Sequence, residues 1–267
     1  MSERFVRQEF LGDRDPFRDF RVGVVGLSGG GSHVVQQLAH LGFERLALFD
    51  PAECRDKHLN RNVLMTAQDA VLGTPKALAA ERRVREIYPS VDVAAFNFQW
   101  QDHPEELQQC DVVVGCLDGY DQREQLEAEC RRHLIPYVDI GLSVTRLDDD
   151  TYSMSGQVIL SMPQSPCMRC LGFLSETKLA AEAAHYGTAG DRPQVVWANG
   201  VLASTAVGLV VNLVTNWSRE LGGAVYLAYD ANTGFVTAHP RADYATHACS
   251  HYPVHEVGTP LAFRRNS

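Results

Sequence analysis

The stretch RVGVVGLSGGGSHVVQQLAHLG, residues 21–42, restricts the folds open to this chain more than any other. A β-branched run ends at Gly26, and a turn containing Ser28, Gly29, Gly30 and Gly31 follows. Val34, Val35, Leu38 and Leu41 then recur at helical spacing. A strand that passes through glycines directly into a helix opens a βαβ unit. Glycine lets the backbone approach an anion closely, and the helix N-terminus adds unpaired amides and the positive end of its dipole. RLALFD, residues 45–50, reads as the next strand, and its terminal Asp50 stands at roughly the 20-residue spacing of a ribose-binding acid. Up to this point NAD and ATP fit equally well.

The same alternation continues along the first half. Residues 74–88 predict a helix with Pro75 in its first turn and Pro89 just past its end. Residues 91–98 and 110–118 read as strands, 121–133 as a helix and 135–142 as a fifth strand. The fold class is therefore α/β, a Rossmann-like, doubly wound, mostly parallel sheet. Past residue 142 the pattern changes to YSMSGQVILS, a Cys-x-x-Cys, a long apolar helix and a hairpin turning at Asn232–Gly234. These predict antiparallel strands that extend the same sheet. The expected organisation is one domain over 1–267, with a nucleotide-binding half (1–142) and a second half (143–267).

Composition narrows the function classes. The chain of 267 residues is 45% hydrophobic, enough for a sizeable core, and carries a formal charge of −9. That balance argues against a nucleic-acid binder, which needs a basic face. The most apolar stretch, 201–217, contains Ser204, Thr205 and Asn212 and is short for a membrane span, so a buried helix is expected. The charged N-terminal residues lack a signal pattern, and seven scattered cysteines do not form a disulfide framework. A reduced, cytoplasmic protein without a membrane partner follows as the expectation.

Three further residues favour ATP over NAD. Arg61 lies in the polar segment HLNRN (58–62), Lys76 begins a helix in LGTPKA, and Asp118 ends a strand in VGCLDG. Two cations over one phosphate chain suit a triphosphate that loses pyrophosphate, because they neutralise charge developing on the leaving group. A strand-end carboxylate suits Mg²⁺ held against those phosphates. No residue presents itself as a hydride-transfer acid, which tells against an NAD-dependent oxidoreductase.

This order of motifs resembles the ThiF/MoeB/HesA-type adenylyltransferases, the family that includes the ubiquitin-activating enzymes. The resemblance covers nearly the whole chain. It implies nucleotide contacts from Gly26, Ser28, Gly29, Gly30, Gly31, Asp50, Asn60, Arg61, Lys76 and Asp118. It also implies that Arg7, in the opening RFVRQEFLG, reaches into the ATP site of the other subunit of a homodimer, packed through the helix that begins WANGVLAS. Arg7, Arg61, Lys76 and Asp118 are then the catalytic set, with ATP and Mg²⁺ required. The implied reaction adenylates the C-terminal glycine carboxylate of a ubiquitin-like, β-grasp partner. Alternatives are a short peptide or small carboxylate as substrate, and a non-catalytic scaffold of the same fold. Two departures from the family pattern stand out. Ser28 replaces a usual glycine, which a negative φ would accommodate, and His58 replaces a usual asparagine.

The cysteines divide into two groups. Cys167 and Cys170 have the spacing of half a tetrahedral zinc site. Relatives often supply a second Cys-x-x-Cys near the C-terminus, where this chain has His247, Cys249 and His251. Cys249 with His251 is the preferred second half, His247 is the alternative histidine, and a metal-free cysteine pair is the competing reading. The segment 174–200, where many relatives carry a thioester-forming cysteine, contains none. The chemistry then stops at the acyl-adenylate, or an external thiol, of a conjugating enzyme or a sulfur donor, resolves it. Cys110, Cys116 and Cys130 read as buried residues, and Cys54 stays open as a loop thiol beside the nucleotide. His185 and Tyr186 are candidates for contact with the partner's tail, with a plain surface loop as the alternative.

Overall fold

In the computed structural model, which describes residues 3–163, 165–184, 193–220, 225–245 and 249–258, the alternating first half becomes one side of a continuous sheet. The strands are β1 (Arg21–Val25), β2 (Arg45–Phe49), β3 (Asp92–Phe96), β4 (Val112–Gly115), β5 (Tyr137–Arg146), β6 (Tyr152–Ser161), β7 (Val225–Asp230) and β8 (Phe235–Ala238). They lie in the order β3-β2-β1-β4-β5-β6-β7-β8. Pairing is parallel from β3 to β5 and antiparallel from β5 to β8. The predicted architecture is the one observed. The two halves share β5, which runs across residue 142 because its pairing with β6 continues to Arg146 opposite Tyr152.

The helices are α1 (Asp15–Asp19), α2 (Gly29–Leu41), α3 (Ala67–Leu72), α4 (Lys76–Ile87), α5 (Pro104–Leu107), α6 (Tyr120–Arg132), α7 (Glu176–Ala184), α8 (Val196–Thr215) and α9 (Arg241–Tyr244). One face of the sheet packs its Val22, Val24, Leu46, Leu48, Val158 and Leu160 against the apolar stripes of α2, α4 and α8. The opposite face packs Phe49, Val113, Tyr137 and Ile159 against α6 and the segment around Met168 and Leu171. Strands covered on both sides need continuous apolar runs, which is why β1, β2 and β4 read as they do.

Local chemistry sets the boundaries. Helix α4 starts at Lys76, two residues later than predicted, because Pro75 has the extended ψ of an N-cap (φ −53, ψ 133). Helix α8 starts five residues before the apolar run and ends at Asn216 in the left-handed region (φ 51). It is long and apolar enough to cross a membrane by length and composition, with 56% of that window buried inside the structure. Leu202, Ala203, Ala206 and Val210 are among its buried residues, as predicted for a core helix. The hairpin turns through Ala231–Gly234, with Gly234 at φ +83.

Candidate active site

The strand order reverses at β1, which leads on one side to β2 and β3 and on the other to β4 and β5. In open α/β sheets such a switch point opens a crevice beyond the carboxyl ends of the strands. The glycine turn after β1, Asp50 after β2 and Asp118 after β4 all lie along that edge. Gly26 adopts φ +88, and a Cβ there would stand 2.5 Å from the Cys116 carbonyl oxygen. A Cβ on Gly31 would stand 1.8 Å from the Gly26 carbonyl oxygen, so the turn closes only on glycine at both positions. Ser28 takes φ −90 as N-cap of α2, so its departure from glycine brings no left-handed strain.

Asp50 is nearly buried and helps to build the turn. Its carboxylate accepts the Leu27 amide at 2.8 Å and the Ala52 amide at 2.9 Å. Lys76 Nζ lies 3.8 Å from Asp50 Oδ2, and both side chains are only 8% exposed. The start of α4 is fixed here because Lys76 N donates to Ala52 O at 2.9 Å. Asn62 completes the frame: its Nδ2 donates to Leu27 O at 2.8 Å, and its Oδ1 accepts the amides of Leu64 and Met65.

Arg61 and Asn60 lie on the adjoining segment. Arg61 Nη1 donates to Lys57 O at 2.7 Å and to Asn60 Oδ1 at 2.9 Å, while its buried Nε has no partner among the described residues. Asn60 is exposed. His58 is buried, and its Nδ1 accepts the Arg55 amide at 3.1 Å. Burial, reinforced by the positive charges of Lys76, Arg61 and Lys57, lowers its pKa to about 4. The residue that departs from the family asparagine is therefore a neutral loop strut.

Asp118 is exposed at the end of β4, where Gln194 Nε2 donates to its Oδ1 at 3.4 Å. Gln194 Oε1 accepts from Asn199 Nδ2 at 3.1 Å, and a Cβ on Gly29 would stand 2.6 Å from that same Nδ2. The start of α8 thus bridges the glycine turn and Asp118. Arg7 is absent from this gathering. It is exposed on a 3₁₀ helix (Glu3–Leu11) whose Phe5 packs at Gly42. That is the far end of α2, about 20 Å from the glycine turn at 1.5 Å per residue.

A second cluster assembles from distant segments. The ligand atoms of Cys167, Cys170, Cys249 and His251 all lie within 4.8 Å of one another. The sulfurs of Cys167 and Cys170 are 3.7 Å apart, and His251 Nδ1 is 3.5 Å and 3.4 Å from them. Helix α6 holds both halves together. Its buried Glu127 accepts the Met168 amide at 2.8 Å and the Tyr252 hydroxyl at 3.4 Å, and Arg132 pairs with Glu256 at 2.6 Å. Burial raises the Cys249 pKa, but hydrogen bonds from Arg131 and Cys167 outweigh it and bring the thiol down to about 6. His247 lies outside the described residues, as do His185 and Tyr186.

The remaining thiols are removed from the chemistry. Cys54, left open as a loop thiol, is fully buried against Met65 and Ala79, and burial raises its pKa. Cys110 and Cys130 are buried as predicted, and burial pushes Cys110 up to about 12. Cys116 is only partly buried, behind Gly26, and its pKa is also raised by burial.

The model of the ThiF family matches residues 6–251. The chain belongs to the ThiF family. It is 27% identical over 266 residues to the vegetative protein HesA of Trichormus variabilis, covering 94% of this chain and 92% of that protein. It is also 27% identical over 224 residues to the molybdopterin-synthase adenylyltransferase of Escherichia coli K12, covering 82% of each. Among solved structures, E. coli MccB with ATP superposes with a TM-score of 0.70 at 17% identity, over 90% of this chain and 71% of that one. That likeness concerns the fold. Membership and the adenylyltransferases among the relatives make the chain an ATP-dependent adenylyltransferase.

Asn62, Gln194 and Asn199 were invisible as site residues in the sequence. Asn62 sits within a motif segment but adjoins the residues singled out there, and Gln194 and Asn199 reach the glycine turn only through the packing of α8 on α2.

Proposed function

We propose that this protein adenylates the C-terminal glycine carboxylate of a ubiquitin-like, β-grasp protein and releases pyrophosphate. The convergence of the three-glycine turn, the buried Lys76–Asp50 pair and Asp118 on one strand edge carries this reading. The names of relatives support the partner class: one is a SAMP-activating enzyme E1 of Haloferax volcanii, 33% identical over 153 residues, covering 57% of this chain and 53% of that protein. Another is the sulfur carrier protein ThiS adenylyltransferase of E. coli K12.

In the proposed reaction a carboxylate oxygen of the partner attacks the α-phosphorus of ATP. The bond from that phosphorus to the pyrophosphate oxygen breaks, and acyl-adenylate and pyrophosphate result. Gly26, Ser28, Gly29, Gly30 and Gly31 hold the phosphates by backbone amides, and Asp50 together with Asn60 faces the ribose side. Lys76 and Arg61 neutralise charge building on the leaving group, with Arg7 supplied by a second copy of the chain in a homodimer. The buried Nε of Arg61, without a hydrogen-bond partner among the described residues, suits an incoming anion. Mg²⁺ on Asp118 supplies further neutralisation of the phosphates when bound. No side chain has to bond covalently to substrate; positioning and electrostatics suffice.

The Cys167, Cys170, Cys249 and His251 cluster is proposed as a structural zinc site. Thiolates at about 2.3 Å from one tetrahedral zinc stand about 3.8 Å apart, close to the Cys167–Cys170 separation. Four ligands leave no open position, so the metal pins the tail to the core.

ATP–pyrophosphate exchange with a panel of Gly-Gly-ended ubiquitin-like proteins tests the main reading. Exchange that requires one panel member and falls at least 100-fold in Asp118→Ala is expected. Exchange driven instead by a short peptide replaces the partner class, and none with any acceptor despite ATP binding makes the chain a scaffold.

A further inference from the structure

Helix α6 carries a buried guanidinium that the reaction above leaves unused. Arg123 is 6% exposed. Its Nη1 donates to Asp139 and to the Ile140 carbonyl at 3.1 Å, and its Nη2 donates to the Leu117 carbonyl. Leu117 immediately precedes Asp118, so the guanidinium grips the peptide from which Asp118 projects. Asp139 is fully buried and held in turn by the Tyr137 hydroxyl at 2.9 Å and by Gln157 Nε2 at 3.2 Å.

The surrounding backbone keeps space for this chain of groups. A Cβ on Gly141 would stand 2.4 Å from Gln157 Nε2 and 2.5 Å from Arg123 Nη2, so β5 has no side chain where the network passes. Gln157 also lines a groove of about 660 Å³ on the open sheet face, beside Ser143, Ser155, Ala228 and Thr237. The network therefore runs from that groove, through Asp139, to the Asp118 loop. A buried ion pair is a weak source of stability compared with well-packed apolar residues. Its directional bonds nevertheless fix one geometry, and here the fixed object is the loop bearing Asp118.

We propose that Arg123, locked by Asp139 and Gln157, is a positioning residue that aims the Asp118 carboxylate at the divalent cation of the nucleotide. This rests on the reading that Asp118 holds that cation. A fork that bonds one carboxylate and two carbonyls at once cannot be replaced by a lysine, whose ammonium is a single point.

Mn²⁺ titration followed by electron paramagnetic resonance, with a non-hydrolysable ATP analogue bound, reads the effect directly and needs no protein partner. Asp118→Ala sets the scale, with at least a tenfold loss of Mn²⁺ affinity. Arg123→Lys and Asp139→Asn are expected to lose at least fivefold while binding the metal-free analogue as the wild type does. Gln157→Ala, at the solvent-facing end of the network, is expected to lose two- to threefold and decides the matter where the buried variants fail to fold. Folded variants with wild-type Mn²⁺ affinity overturn the assignment, as does an equal loss of affinity for the metal-free analogue. If Asp118→Ala itself leaves Mn²⁺ affinity unchanged, the role given to Asp118 falls, and the positioning role with it.

Discussion

The parallel and antiparallel ends of this one sheet solve burial in opposite ways. Four of five residues in β1 and β2, and every residue of β4, are buried, because helices cover both faces. All of β8 is exposed, and β7 is buried only at Tyr226 and Tyr229. The covered end carries the glycine turn, Asp50 and Asp118 along one edge, the arrangement that binding phosphates by backbone amides would need. The uncovered end leaves a groove lined by Ser143, Ser155, Gln157 and Thr237 together with Tyr152 and Tyr226. Under the proposed function, chemistry belongs to the covered end and recognition of the protein substrate to the open one.

Perturbing each end separately tests that division. Lys76→Ala, at the covered end, is expected to lower exchange 100- to 1,000-fold at saturating partner while the chain stays folded by circular dichroism. An equal loss in KM alone, with kcat unchanged, would move Lys76 into simple nucleotide binding. If the Cys167, Cys170, Cys249 and His251 cluster holds zinc as proposed, a strong chelator is expected to lower the melting temperature by about 10 °C or more and to expose residues 249–258 to protease. ATP binding measured on the stripped protein should persist if the covered end folds independently of the cluster. Thr237→Arg, at the open end, is expected to raise the partner's KM about tenfold with kcat within twofold. A change in ATP affinity from that substitution would break the division.

The smallest effect concerns the loop strut. Folded His58 titrates near 4 and unfolded histidine near 6.5, so the unfolded chain binds more protons between those values. Its contribution is complete above about pH 6.5 and is lost as pH falls toward 4. In denaturant unfolding, moving from pH 7.5 to 6 should cost the wild type about 1 kcal/mol more than His58→Asn. Parallel pH profiles for the two proteins would show that folded His58 titrates as it does in the unfolded chain.

Much of the covered end was legible because its signals are local. The glycines at 26 and 31, the strand-end acids 50 and 118, and the Pro75 cap each declare a backbone conformation in a few residues. Cys54 stayed open in the sequence for the complementary reason: a loop position says nothing of the Met65 and Ala79 side chains that enclose it. The pairing of Cys167 and Cys170 with Cys249 and His251 needed the family resemblance to suggest it. Only the docking of both segments on α6 through Glu127 and Arg132 brings the four groups together.

The sequence by itself determined the element types, the sheet class and which residues end the strands along the switch-point edge, since periodicity, turn chemistry and capping act over a few residues. Tertiary structure alone decided that Asn62, Asn199, Gln194 and the Arg123–Asp139 pair converge on that edge. Their partners lie on other elements, and a buried polar side chain acquires its role from whichever distant group satisfies its hydrogen bonds.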